Sequence, residues 1–289
     1  MRVVFMVMLL QASIHGSSEI RSAFDIGTGK IKMQVAKVDE QQIEFLYCQS
    51  ERISPSNVSI LNQDGLITEE GQERIVTILK SLKSLAEGYG STKYEAIATE
   101  LFRKALNGRE IATKISTLLG IDIKVVSPEE EGILSFLTIV QEARLDPQDI
   151  VVLDIGSGSF QITCKNEDEF IVYSAPFGRL PTYELVKNNQ LSNLEIAISS
   201  IDPRIIKKIQ DCKNSVIGIG AHPKCILTLK TSYDENDLKT ALQASSKIDL
   251  DHSDLLLVKT IMEALSIIQV KYMGGRAGNT TGIFVLQSQ

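Results

Sequence analysis

The sequence predicts an α/β fold of two similar domains facing a shared cleft, and three observations predict it. Val151-Val152-Leu153-Asp154-Ile155-Gly156-Ser157-Gly158-Ser159-Phe160 starts as a buried strand, ends that strand with an Asp and then turns through small residues. Ala23-Phe24-Asp25-Ile26-Gly27-Thr28-Gly29-Lys30 repeats the pattern 129 residues earlier, and strand-type residues follow both copies, at 31–38 and 161–164. That distance is too long for a solenoid period and has the size of a duplicated domain. The third observation is the chain itself: 289 residues, 43% hydrophobic and 23% charged, an ordinary globular composition at a length that fits two domains. The expected division is residues 19–143 and 144–289, closely joined by the segment 142–149.

Each repeated run carries chemistry as well as structure. Small residues let a backbone turn sharply and present its N–H groups to an anion. The Asp puts a carboxylate at the mouth of that nest. A carboxylate beside a phosphate is repulsive unless a metal ion or a reacting water lies between them, so the run suggests a divalent-metal phosphate site. An Asp-Gly turn in an ordinary hairpin is the simpler reading of either copy alone. Its recurrence weighs against that reading.

In chain order, residues 20–38 read as a hairpin around the first turn, 43–51 as a third strand and 54–65 as a polar loop. Thr68-Glu69-Glu70 opens a helix, with a capping residue and early negative charge. Ile75, Ile78, Leu79, Leu82 and Leu85 recur along it at helical spacing, and Gly88 and Gly90 end it. Residues 94–99 form a buried strand. The block from Ala98 to Asn107 then begins a helix with Thr99 as its cap and with Arg103 and Asn107 four apart on one face. Arg suits bidentate phosphate contacts, and the end of a strand in an α/β unit is where ligands bind. Otherwise the block is a solvated basic face. Residues 111–119 continue a helix, 121–126 a strand, and Ser127-Pro128-Glu129-Glu130-Glu131-Gly132 leads into an apolar helix to 140. Those acids complement a helix dipole, or one of them is a general base for water.

The second half repeats this grammar. Residues 170–175 are a strand, 176–181 a loop that offers Arg179 as a second phosphate ligand, and 183–187 and 205–212 are helical. Residues 216–220 form a strand ending in a second Gly-rich turn, Gly218 to Pro223. A long amphipathic helix is expected over 254–272, a turn over 273–279 and a terminal element over 281–286.

The formal net charge of −6 argues against a nucleic-acid duplex as partner, so an anionic substrate has to be held by local cations and backbone donors. Arg2, a short apolar run and a small-residue segment match a signal peptide over residues 1–18. Export to a periplasm or the exterior follows if that match is real, and a cytoplasmic location if it is not. The apolar run is too short to span a bilayer. Cys48, Cys164, Cys212 and Cys225 permit one or two disulfides, but isolated buried thiols are the preferred reading. The three His residues are too scattered for zinc.

Several of these motifs stand in one order. Phe24-Asp-Ile-Gly-Thr-Gly29, Ala98-Thr-Glu-Leu-Phe-Arg103-Lys-Ala-Leu-Asn107, Ser127-Pro-Glu-Glu-Glu131-Gly132 and Leu153-Asp-Ile-Gly-Ser-Gly-Ser159 resemble the exopolyphosphatase and guanosine pentaphosphate phosphatase family. The resemblance is clear over residues 20–180 and looser beyond, and it is to the short two-domain type. It implies two actin-like (ribonuclease H-like) domains around a central cleft. It also implies Mg²⁺-assisted release of the terminal phosphate from polyphosphate or a guanosine pentaphosphate-like nucleotide, and leaves a homodimer open.

By motif position, the resemblance makes Glu131 the acid that activates water and Arg103 the catalytic phosphate grip. Asp154 and Asp25 become metal ligands. Asp25, Gly27, Thr28 and Gly29 form the first phosphate loop and Gly156, Ser157, Gly158 and Ser159 the second, with Thr99 and Asn107 beside them. The family's second loop usually reads Asp-x-Gly-Gly-Gly-Ser-x-Glu, with the closing Glu acting with the metal. Here Ser157 replaces a Gly and Gln161 replaces that Glu. The first loop ends in Gly29-Lys30 rather than Asn-Ser, and Pro128 stands where a Gly is usual. A catalytically reduced member that binds phosphate or nucleotide without turnover is therefore the alternative reading, and an actin-like or kinase-like ATP-binding protein a third.

Overall fold

A computed structural model describes residues 18–39, 42–53, 60–213, 215–274 and 279–287. All of the expected signal segment but its last residue lies outside these, as does the first half of the loop expected at 54–65. The first half folds as β1 (Glu19–Ile26), β2 (Lys30–Val38), β3 (Ile43–Arg52), α1 (Glu69–Gly88), β4 (Lys93–Ala98), α2 (Glu100–Lys104), α3 (Gly108–Leu119), β5 (Asp122–Val125) and α4 (Pro128–Ala143). A short 3₁₀ turn at Pro147–Asp149 leads to β6 (Val151–Ile155), β7 (Phe160–Asn166), β8 (Glu169–Ala175), α5 (Arg179–Lys187), α6 (Ser192–Ile198), α7 (Pro203–Asp211) and β9 (Ser215–Gly220). The chain closes with α8 (Lys224–Leu227), β10 (Ser232–Asp234), α9 (Glu235–Ala244), α10 (Leu250–Leu265), β11 (Gln269–Tyr272) and α11 (Asn279–Gln287).

The duplication read from two short motifs extends through both sheets. The first sheet runs β3-β2-β1-β4-β5 and the second β10-β11-β9-β6-β7-β8. Apart from β10, the second order reversed is that of the first. In each sheet an antiparallel meander of three strands is followed by two parallel strands. The parallel strands need helical crossovers, which α1 and α3 supply in the first half.

Helix ends follow local chemistry. The Thr68 hydroxyl accepts from the Gly71 amide at 3.0 Å, and Gly71, Ile75, Ile78, Leu79, Leu82 and Ala86 form the buried stripe of α1. Each fully buried Ile or Leu contributes roughly 1.5–3 kcal/mol. Gly120 ends α3 in the left-handed region at φ 60°.

The helix expected over 254–272 is corrected. It stops at Leu265, because Ser266 turns left-handed at φ 54°, and the β-branched and aromatic residues that follow pair as β11 beside β9. Amphipathic spacing continued past the break, so the pattern alone hid the change from helix to strand.

The expected boundary at 143–144 falls at the end of α4. In space the helices on either side of it are exchanged. The first half's α4 packs on β6, β7 and β8, while the C-terminal α11 packs on α4, β1 and β2. A Cβ on Gly282 would fall 2.3 Å from the Leu134 carbonyl oxygen, so a glycine lets α11 cross α4 closely. Leu134 joins Ala23, Ile97, Ile283 and Phe284 in one apolar cluster, while Phe136 and Ile139 join Val152 and Ile219 in another. The layer between the sheets is thus shared by both halves.

All four cysteines are free. Only Cys164 is buried, with Cys48 and Cys225 exposed and Cys212 intermediate, which corrects the expectation of buried thiols. None of the described helices is long and apolar enough to cross a membrane.

Candidate functional site

The two Asp-bearing hairpins are built alike to the hydrogen bond. The Gly27 amide donates to the Lys30 carbonyl at 3.1 Å and the Gly156 amide to the Ser159 carbonyl at 2.8 Å. Across each hairpin Asp25 pairs with Lys32, and Asp154 with Gln161. Behind each, the next parallel strand delivers a matching donor. The Thr99 amide reaches the Ile26 carbonyl at 3.1 Å, and the Ala221 amide reaches the Ile155 carbonyl at 2.6 Å.

The turns meet tip to tip. A Cβ on Gly29 would lie 2.8 Å from the Ser157 hydroxyl, and one on Gly158 would lie 2.9 Å from the Thr28 hydroxyl. The Thr28 Oγ1 at this meeting point is buried and has no hydrogen-bond partner among the described residues. A buried hydroxyl without a partner is costly, and a phosphate oxygen between the tips would satisfy it.

The second turn is also covered. The Arg179 and Leu180 amides donate to the Gly156 and Ser157 carbonyls at 3.1 and 2.9 Å. Gly178 makes this cover fit, since its Cβ would lie 2.5 Å from the Gly156 oxygen. Gly220, at φ 86°, brings backbone against Asp154, with its Cβ position 2.8 Å from Oδ1.

Two acids of the triple-acid run take different roles. Glu130 closes a capping box: the Ser127 amide donates to its carboxylate at 2.8 Å, and its own amide donates to the Ser127 hydroxyl at 3.1 Å. Lys124 pairs with Glu130 at 2.6 Å. Glu131 turns inward and is buried, helped by Gly132, whose missing side chain lets α4 lie against Thr163 and Val172. Burial pushes the Glu131 carboxyl up to about 8, with Asp25 and Asp154 adding to the rise and Arg103 opposing it. Arg103 lies 2.8 Å from Glu131 Oε2, yet that buried oxygen has no aligned hydrogen-bond donor.

Arg103 is therefore at the site, but the expected helix face is not. The helix stops at Lys104 after a single turn, so Asn107 is not on a shared face with Arg103. The Asn107 amide instead brackets Ile67, accepting from its N–H at 2.9 Å and donating to its carbonyl at 3.2 Å. Asn107 anchors a loop, which corrects its placement among the phosphate ligands. Thr99 makes no side-chain cap; its hydroxyl is buried 3.5 Å from the Ile26 carbonyl. Arg179 is not a free phosphate ligand either, since both oxygens of the fully buried Asp254 accept from its Nε at 3.0 Å.

Asp154 lies in the seam where α4, α11 and β6 meet. The Ser135 hydroxyl donates to its Oδ2, and the Asn279 amide stands 2.5 Å from the same hydroxyl. The Asn279 atom in that contact is its amide oxygen. Burial raises the Asp154 carboxyl, while Lys32 and the Ser135 hydrogen bond oppose the rise and Asp25 adds to it. Gln161 is buried and donates to the Ser159 and Ser174 hydroxyls at 3.1 Å each. Loss of water and the nearby Lys32 depress the Lys30 ammonium, with Lys224 and Arg179 adding to this and Asp25 opposing it. Cations from both halves thus face the same region.

Glu100, Ser135, Lys32 and Asn279 were missed by sequence reasoning. Lys32 had a signal: it occupies the position in the first repeat that Gln161 holds in the second. Ser135 and Asn279 had none, being brought to Asp154 by helix packing alone.

Comparisons agree with this architecture. Residues 34–262 match the Ppx/GppA phosphatase family. The chain is similar to exopolyphosphatase 1 of Mycobacterium tuberculosis, 25% identical over 118 residues, which are 40% of this chain and 34% of that protein. It is also similar to exopolyphosphatase 1 of Mycobacterium leprae, 23% identical over 177 residues, 60% of this chain and 51% of that one. The matches thus span about a third to a half of these relatives' lengths. Among solved structures, an exopolyphosphatase from Cytophaga hutchinsonii superposes with a TM-score of 0.74 at 16% identity, covering 93% of this chain and 98% of that one. An Aquifex aeolicus Ppx/GppA family member superposes with a TM-score of 0.71 at 17% identity, covering 94% and 98%. The fold is the two-domain, actin-like one expected.

Proposed function

The chain belongs to the Ppx/GppA phosphatase family, and from that premise we propose that it hydrolyses a phosphoanhydride bond, releasing the terminal phosphate of polyphosphate or of a guanosine pentaphosphate-like nucleotide. The observation that carries this reading is the unpartnered, buried Thr28 hydroxyl between two abutting glycine turns. It stands where a phosphate oxygen would be gripped, with Arg103 and Glu131 paired on the helices behind those turns.

The residues fit Mg²⁺ arriving with the phosphate. No group of three or more His, Cys, Asp or Glu gathers among the described residues, but Mg²⁺ is commonly held by one or two carboxylates plus substrate phosphates. Asp25 and Asp154 raise the charge cost at Glu131 together, which is the repulsion a cation relieves, and they would hold it. Bound there, Mg²⁺ would neutralise charge on the phosphate oxygens. Lys32, 3.6 Å from Asp25, partly fills this role in the free protein.

Glu131 accepts the proton of the attacking water. To do so it must be ionised; burial favours its protonated form at neutral pH in the free protein, and a cation held by Asp25 and Asp154 would favour ionisation. Arg103 orients the transferred phosphate. The turn amides hold its oxygens in a seam from which packed side chains exclude water.

The test is phosphate release from long-chain polyphosphate and guanosine pentaphosphate with Mg²⁺, for the wild-type chain and Glu131→Gln. Release that falls about 10²–10⁴-fold in the variant supports the reading. Release unchanged by the substitution, or absent while tripolyphosphate still binds, overturns it. The latter outcome favours the second reading, a phosphate-binding member with little turnover. Gln161 supports that one, because a neutral amide stands opposite Asp154.

A further inference from the structure

Glu100 is a carboxylate at the place where the proposed phosphate would sit. It is nearly buried, at 9% exposure. Its Oε2 accepts from the Arg103 Nη2 at 2.9 Å and from Nε at 3.3 Å, so it takes one side of the guanidinium fork. Its Oε1 pairs with Lys104 at 2.8 Å. Its stem lies on the opposite domain's turn: a Cβ on Gly158 would be 2.7 Å from Glu100 Cγ and 2.9 Å from the unpartnered Thr28 hydroxyl. Glu100 and the orphaned hydroxyl thus converge on the same glycine, with Arg103 bound to the Glu100 carboxylate.

We propose that Glu100 is an internal competitor for the substrate's phosphate: its carboxylate holds Arg103 in the free protein, and a terminal phosphate has to displace it to bind. This rests on the phosphate reading of the site. The remaining contacts of Arg103 are the Val126 carbonyl at 3.0 Å and Glu131 at 2.8 Å. They fix the guanidinium's position, so the face that Glu100 covers is the one a ligand takes. Charge then sets selectivity. A dianionic phosphate end outcompetes a single carboxylate, whereas a monoanionic phosphodiester does not. Displacement leaves Glu100 paired with exposed Lys104, so the released carboxylate is not stranded. Glu100 is therefore an affinity- and specificity-setting residue, with no part in bond making.

The test is calorimetric titration of the full chain with tripolyphosphate, and separately with a dialkyl phosphodiester, for wild type, Glu100→Gln, Glu100→Ala and the double variant Glu100→Gln with Arg103→Ala. Glu100→Gln is expected to bind tripolyphosphate about tenfold more tightly, to begin accepting the diester, and to lose both gains in the double variant. Glu100→Ala, which also removes the stem, moves the same way. A purely structural Glu100 would instead weaken binding in both variants, and equal or weaker tripolyphosphate binding by Glu100→Gln overturns the proposal. No binding by wild type or by either single variant overturns the phosphate reading itself, and the proposal with it.

Discussion

The two hairpins share backbone, register and turn closure, and differ in the residue facing the Asp. In the first, Asp25 faces Lys32 across the strands and pairs with it at 3.6 Å. In the second, Asp154 faces a buried Gln161 whose amide is spent on two hydroxyls, and the Asp draws its own hydrogen bond from Ser135. One hairpin places its counter-charge across the strands, while the other has a neutral amide there and draws on Ser135 and on Lys32 of the first hairpin. The lesson is that a duplicated backbone device sets where an Asp stands, while the cross-strand partner sets what that Asp can do.

The largest effect that would sharpen this comparison is the pH dependence of phosphate release. Glu131 must ionise to act, and its carboxyl in the free protein lies at about 8, so kcat/KM should rise about tenfold per pH unit below that value. Asp25 raises Glu131 more than Asp154 does. Asp25→Asn should therefore move the rising limb to lower pH further than Asp154→Asn, as measured on whatever activity each variant retains. A limb that stays in place in both would break the link between the hairpins and Glu131.

Next in size is the partner itself. Gln161→Glu restores a second carboxylate opposite Asp154 and should raise Mg²⁺-dependent turnover at least about tenfold. The matching change in the first hairpin, Lys32→Gln, should leave turnover within a few-fold while weakening tripolyphosphate binding. Equal responses would mean the two hairpins are interchangeable. The smallest effect concerns packing. Gly178→Ala drives a Cβ to 2.5 Å from the Gly156 oxygen in a covered turn, and should cost about 2 kcal/mol in denaturant unfolding. Gly29→Ala meets only the Ser157 hydroxyl, which can rotate away, and should cost less than about 1 kcal/mol. A Gly29→Ala cost as large as that of Gly178→Ala would show the first turn to be equally enclosed.

Much of the fold was legible because its signals are local. Apolar stripes marked α1 and α4, and Asp-Gly runs marked both hairpins. The elements that escaped are those for which the pattern persisted while the structure changed. Residues 266–272 keep helical spacing yet turn at Ser266 into β11. Asn107 keeps a four-residue spacing from Arg103 across a helix that has already ended. Arg179 read as free because Asp254, 75 residues on, gives no local sign of approaching it.

By itself, the sequence determined the paired Asp-bearing turns, the order of the motifs and the inward or capping potential of the acids at 129–131, since strand ends, small residues and caps are short-range properties. The tertiary structure decided the charge on those groups and their partners. The Glu131 carboxyl is pushed up to about 8 because packing removes water from it and brings Asp25 and Asp154 near. Arg103 is occupied because Glu100 folds back over it. Asp154 is hydrogen-bonded because α4 packs on β6 and brings Ser135 to it, with Asn279 of α11 against the same hydroxyl. Such effects depend on distances across the fold and on the exclusion of solvent, and a linear pattern contains neither.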